Sequence, residues 1–293
     1  MKTLLERIHE GTQVLTVELE PPKGPDPSSL LREVQELQGA IDGINITDAP
    51  LANVRMNSIV VAHLIQEVAE VPVIAHLTCR DRNLIALQSD LLGADALGVL
   101  HLLMLGGDPP DKGDHPMAKP VFDLDSVGLI ALADRLNQGV TYAGGALDCP
   151  TRLIAGAAAN PAADNLEVEI QKLRAKIQAG AKFIQTQPVF EAGVALRFEE
   201  AIREAGLQIP ILYGVLPFKS ERNAQFLAKN VPGMKIPQWA VERMASGDQD
   251  EGIRMAVELA AELAGKVAGL HLFPMGSPRI LHGFLNGIGR LQS

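Results

Sequence analysis

Glu18 and Glu20, two residues apart, close a strand-like run just before Pro21 and Pro22. Residues 15–22 alternate, so Thr16, Glu18 and Glu20 share one face while Leu15, Val17 and Leu19 share the other. Neither proline can donate a ladder hydrogen bond, and the strand must stop there. Carboxylates held at such a stop lie either on a wet sheet edge or on the lip of a reaction site. On the lip, Glu18 is a candidate general acid or base, because partial desolvation raises a carboxyl pKa toward a useful range. On the edge, it is an ordinary solvated carboxylate.

The same spacing recurs along the chain: Asn45 with Thr47, His76 with Thr78, and Gln185 with Gln187, besides single polar residues at Asp108, Asn160 and His271. A spacing of two puts both members of a pair on one face of a strand. Gathered at one end of a sheet, these groups would line a mouth for a large polar ligand; scattered, they would satisfy loop backbones and strand edges. Asp108 follows Gly106 and Gly107, which either let a backbone approach a ligand closely or simply make a turn. His76 fits a hydrogen-bonded core histidine as well as a catalyst. Lys172, Arg174 and Lys176 fall on a predicted helix as a solvated face, from which one could reach an anionic cofactor. The methionines are assigned to packing. The seven histidines include no His-x-x-x-His or His-Glu-x-x-His pair, and the chain has no Gly-x-Ser-x-Gly elbow or P-loop. That pattern argues against a metal site, a serine hydrolase and nucleotide phosphotransfer.

The elements that must position these residues follow from hydrophobic periodicity. Strands are predicted at 15–22, 41–47, 71–78, 96–105, 152–158, 183–187, 209–216 and 268–273. Helices are predicted at 25–40, 53–69, 82–92, 124–136, 166–179, 192–205, 224–229, 239–244, 252–264 and 279–291, after an amphipathic first helix within 1–10. Eight strands alternating with helices is the order of a (β/α)8 TIM barrel of the α/β class, with residues 1–293 forming a single domain and the ligand at the strand carboxyl ends. A doubly wound open sheet is the rival, weakened by the lack of a Gly-x-Gly-x-x-Gly turn after any early strand. The segments 110–120 and 139–151 are excursions from the barrel.

With 293 residues, 47% of them hydrophobic, the chain can bury a large core. Thirty-five acidic against 26 basic residues give a net charge of -9, which argues against a nucleic-acid partner. The apolar runs are broken well short of the roughly 20 residues a bilayer span needs. The first ten residues carry charges among their leucines, unlike a secretory signal, and a cytoplasmic protein is expected. Cys79 and Cys149 are the only cysteines, read as reduced and structural.

Six segments, in order, carry a resemblance: Val17-Glu18-Leu19-Glu20-Pro21-Pro22, Asn45-Ile46-Thr47-Asp48, Ala75-His76-Leu77-Thr78-Cys79, Leu105-Gly106-Gly107-Asp108-Pro109-Pro110, Ala179-Gly180-Ala181 and Gln185-Thr186-Gln187-Pro188-Val189-Phe190. Together they resemble the methylenetetrahydrofolate reductase family over nearly the whole chain. The resemblance implies an FAD-containing barrel that reduces 5,10-methylenetetrahydrofolate to 5-methyltetrahydrofolate, in one-carbon metabolism and methionine biosynthesis. It implies that Glu18 protonates the folate as its five-membered ring opens to an iminium, before hydride passes from reduced flavin N5 to that carbon. Asp108 resembles the aspartate between flavin and pterin, and Gln187 the glutamine that contacts folate. Thr47, His76 and Lys176 match flavin-binding positions, and Gly156, Ala157, Ala158, Ala159 and Asn160 fall where the family wraps backbone around the cofactor. Such chemistry needs two rings stacked in a water-poor pocket and one well-placed proton. The chain departs from other members at Gly106, where they have an arginine, and near Glu221, where they have a phenylalanine that stacks on NADH. Several segments resemble the branch found in acetogens and in methyltransferase fusions. The implied electron donor is therefore NAD(P)H or a partner electron-transfer subunit, and the assembly a homo-oligomer or hetero-complex. The alternative is a non-catalytic folate- or flavin-binding barrel within a larger complex.

Overall fold

In the strands that carry Glu18, Asn45, His76 and His271 the residues of one parity are apolar, and those of the other turn polar toward the carboxyl end; a closed barrel buries both sets. The structure, a computed structural model, describes residues 2–231, 233–245 and 247–291. Its strands are β1 (Val14–Leu19), β2 (Gly43–Ile46), β3 (Val73–Thr78), β4 (His101–Leu105), β5 (Ile154–Ala159), β6 (Phe183–Pro188), β7 (Ile211–Val215) and β8 (Gly269–Leu272). Each pairs in parallel with its sequence neighbours, and β1 pairs with β8, closing the barrel. The helices are α1 (Leu4–His9), α2 (Ser28–Glu36), α3 (Ser58–Gln66), α4 (Leu84–Ala96), α5 (Ser126–Asn137), α6 (Leu166–Gln178), α7 (Ala192–Glu204), α8 (Glu221–Asn230), α9 (Gln238–Ala245), α10 (Gln249–Leu263) and α11 (Pro278–Gly287).

Outward strand residues such as Val17, Ile44, Leu77, Met104, Ile184 and Leu272 pack against the helix ring, and all are essentially inaccessible to water. Each such side chain contributes about 1.5–3 kcal/mol by leaving water. Inside, the amino end is sealed by a second cluster of Val14, Ile74, Leu103, Phe183 and Leu212, under which Leu4 of α1 is inserted as a plug. The Leu4 N–H is satisfied by Nε2 of His101 at 3.2 Å, and burial drives the His101 pKa down to about 4, which keeps that nitrogen an acceptor.

Boundaries differ from the sequence expectations where a cap or a glycine intervenes. The helix expected from residue 53 starts at Ser58, because the Asn57 side chain accepts the Ile59 and Val60 N–H groups and fixes the start. The strand expected at 96–105 begins only at His101. Its first residue, Ala96, ends α4, and Gly98, at φ 73°, reverses the chain before the sheet. The closing helix stops at Gly287 rather than 291.

Candidate active site

Above the apolar floor, the second interior layer is polar: Thr16, Asn45, His76, Gln185 and His271, none more than 6% exposed. Thr16 Oγ1 lies 2.8 Å from His271 Nδ1, Asn45 Nδ2 lies 3.4 Å from the same nitrogen, and His76 Nε2 lies 3.1 Å from Asn45 Oδ1. The His271 ring also stands edge-on to Phe273, with centroids 4.5 Å apart. Burial lowers the pKa of His76 to about 4 and that of His271 to about 3, so both imidazoles are neutral at pH 7.

On this layer sits a cavity of about 480 Å³ at the strand carboxyl ends, lined by Glu18, Thr47, His76, Asp108, Gln187 and Phe273 among others. The Glu18 side chain is only 24% exposed, and its Oε2 lies 4.0 Å from His271 Nε2. Burial, and secondarily the nearby Glu20 charge, lift its carboxyl from 4.5 to about 8. A carboxyl so placed keeps its proton at neutral pH and can deliver it. Glu20, expected on the same face, does not join it. Because β1 ends at Leu19, Glu20 swings into solvent and receives Arg55 Nη2 at 2.9 Å.

The rim is held by charge. Asp48, 7% exposed, accepts Arg82 Nη1 at 2.6 Å and the Thr78 N–H and hydroxyl at 2.9 and 2.8 Å, while Arg82 Nε donates to Asp90 at 2.7 Å. Arg80, 3% exposed and in the cavity wall, donates to Asp81 and to the Ala49 carbonyl. The rim turn takes Ala49, Leu51 and Ala52 through positive φ, a costly conformation for residues with a Cβ. Asp108 is exposed at the mouth after Gly107, which at φ 91° packs on Thr78 and Arg80. A side chain at Gly106 would meet open space.

Gln187 is aimed by an irregularity. The β6–β7 register slips between Gln185 and Pro188, and the Thr186 hydroxyl stands in for the ladder, accepting Gly214 N–H at 2.9 Å and donating to the Gln187 carbonyl at 2.8 Å. Of the 156–160 stretch, only Ala158 lines the cavity. Gly156 is occupied by packing, since a Cβ there would sit 2.2 Å from the Phe183 ring, and Ala157 and Ala159 face the helices. Asn160 binds loops together, donating to the Gly233 carbonyl and accepting Ala162 N–H. Lys176, on α6, lies behind the barrel wall and donates to the Ala158 carbonyl at 2.6 Å. Arg80, Phe273 and Met234 line the cavity although nothing in their spacing singled them out. For Arg80 the signal was available in Cys79-Arg80-Asp81-Arg82, a charged cluster directly after a strand. Both cysteines are free thiols, and among the described residues no helix is long and apolar enough to cross a membrane and no cluster could hold a metal ion.

A closed ring of eight parallel strands alternating with helices, with a buried carboxyl and polar side chains at the strand carboxyl ends, defines the class of (β/α)8 TIM barrels. Residues 3–284 match the methylenetetrahydrofolate reductase family, and the chain belongs to that family. It is 26% identical to methylenetetrahydrofolate reductase 1 of Schizosaccharomyces pombe over 79% of this chain and 38% of that protein. It is 25% identical to 5,10-methylenetetrahydrofolate reductase of Pectobacterium carotovorum over 62% of this chain and 55% of that one. The chain thus spans well under two thirds of the length of these relatives. A protein from Clostridium thermocellum, described as binding two copies of 5-methyl-5,6,7,8-tetrahydrofolic acid, shares the fold with a TM-score of 0.70 at 15% identity, over 97% of both chains.

Proposed function

We propose that the chain is a cytoplasmic, single-domain reductase that converts 5,10-methylenetetrahydrofolate to 5-methyltetrahydrofolate, with Glu18 as general acid and FAD as cofactor. The observation that carries this reading is Glu18 itself: a carboxyl lifted to about 8, three-quarters buried in the wall of a cavity of about 480 Å³. The volume suits a fused heterocycle.

The fit to a flavin or a pterin is supported by groups that lack a protein partner. Thr47 Oγ1, both amide atoms of Gln185 and Gln187 Oε1 are buried with no hydrogen-bond partner. Such atoms are costly unless a ligand or water meets them, and a ring with a lactam edge offers the matching donors and acceptors. Thr47, His76, Asp108 and Ala158 would hold the cofactor, with Lys176 fixing Ala158 from behind and Asn160 fixing the adjoining loop. When bound, flavin supplies the hydride. Glu18 gives its proton to the folate amine as the ring opens, Gln187 orients the pterin, and the walls exclude water. Asp108, exposed at the rim, stays available to a basic pterin nitrogen. The donor of electrons is NAD(P)H or a partner protein.

The test is anaerobic. Purified protein carrying flavin should lose its visible absorbance when 5-methyltetrahydrofolate is added. Glu18→Gln should abolish the folate half-reaction while dithionite still reduces the flavin normally. A colourless, inert preparation that still binds folate would replace this reading with a non-catalytic binding subunit, and equal loss of both half-reactions in the variant would remove Glu18 from its role.

A further inference from the structure

Beneath Glu18 the hydrogen bonds form one directed chain. Asn45 gives its oxygen to His76 Nε2 and therefore turns its amide N–H toward His271 Nδ1, at 3.1 and 3.4 Å. Thr16 Oγ1 contacts the same Nδ1 at 2.8 Å, and its hydroxyl can donate there. With Nδ1 an acceptor, the proton of the neutral ring belongs on Nε2, the nitrogen 4.0 Å from Glu18 Oε2. Reversing the polarity would require the Asn45 amide to flip and both imidazoles to change tautomer together. It would also set a lone pair against the carboxylate whenever Glu18 is ionised.

We propose that His271, held as its Nε2–H tautomer by Thr16 and Asn45, is a positioning residue for Glu18 that keeps Oε2 an acceptor and leaves the transferable proton on Oε1. The inference rests on the reading of Glu18 as general acid. As the Oε1–H bond breaks, its electron pair stays on the carboxyl, the proton goes to the amine nitrogen of the folate, and the charge that develops faces the His271 N–H. The hydrogen bond to His271 requires the Glu18 carboxyl to turn so that the 4.0 Å separation shortens. Thr16 and Asn45 orient the His271 donor before reaction, so the imidazole itself need not turn when charge appears. The other titratable groups facing this site are Asp48, His76, Arg80 and Asp108 in the cavity wall and Glu20 beyond β1.

Two measurements test it. Long-range proton–nitrogen correlation spectra of histidine-labelled protein should show His271 neutral and protonated on Nε2 at pH 7, and Thr16→Val should mix the tautomers. This readout needs neither folate nor flavin. In the folate half-reaction, His271→Leu should lower the plateau rate about tenfold and move the alkaline limb up about one pH unit, because a donor to the carboxylate has been removed. His271→Gln, which keeps an N–H near the same place, should recover part of both. A wild-type Nδ1–H tautomer, or a slower His271→Leu whose limb stays in place, would overturn the proposal. A protein with the Nε2–H tautomer but no folate chemistry would instead overturn the assigned reaction and leave the hydrogen-bond assignment standing.

Discussion

Replacing Glu18 by Gln should make the protein harder to unfold, and increasingly so as pH rises. Burial lifts the Glu18 carboxyl from 4.5 to about 8 in the folded chain. A group whose folded pKa exceeds its unfolded value contributes stability that is complete below pH 4.5 and is lost as pH climbs through 8. Within that window each pH unit costs the wild type about 1.4 kcal/mol relative to a residue that does not titrate. Summed over the window this is roughly 3–5 kcal/mol, the lower figure allowing for the part of the side chain still in contact with water. Urea unfolding of both proteins between pH 5 and 9, followed by the fluorescence of Trp239, the one tryptophan, measures the difference directly. Other titrating groups cancel in the comparison. The gap should be smallest near pH 5, widen steadily to pH 8 and then level off. A gap that stays constant from pH 5 to 9 would refute the claim that this carboxyl is held protonated by its surroundings.

Arg82→Met should cost about 3–5 kcal/mol in urea unfolding, because Asp48, 7% exposed, loses its main counter-charge, and adding Asp48→Asn should restore part of it; a loss under about 1 kcal/mol would mean that the pair is solvated. Gly156→Ala should cost about 1–3 kcal/mol, since the new Cβ would stand 2.2 Å from the Phe183 ring, and Phe183→Leu in the same chain should relieve it; additive losses would show that the two do not press on each other.

Much of the barrel could be read before any coordinate, because strand parity is a local property: Val17, Leu77 and Leu272 face helices while Glu18, His76 and His271 face inward, as their spacing predicts. The alternation fails at Glu20, where the chain leaves the ladder and Arg55, rather than the sheet, sets the side chain's direction. Lys176 shows the other limit. A lysine on a helix reads as solvent-facing or as reaching for an anion, yet its ammonium is spent on the Ala158 carbonyl of the adjoining strand. Pairings between distant segments leave no trace in spacing. Thr16 with His271 and Asp48 with Arg82 are chosen by closure of the ring and by loop packing, so only the assembled barrel brings them together. The slip in β6 is equally silent, although Pro188 within the strand hints at it.

The Leu4 plug carries a kinetic consequence. Among the described residues, Leu4, Phe183 and their neighbours stopper the base of the cup, and the cavity lies at the strand carboxyl ends. On the proposed function, a product would have to clear that threshold before a substrate of equal bulk could settle, and its release would then share in setting the pace.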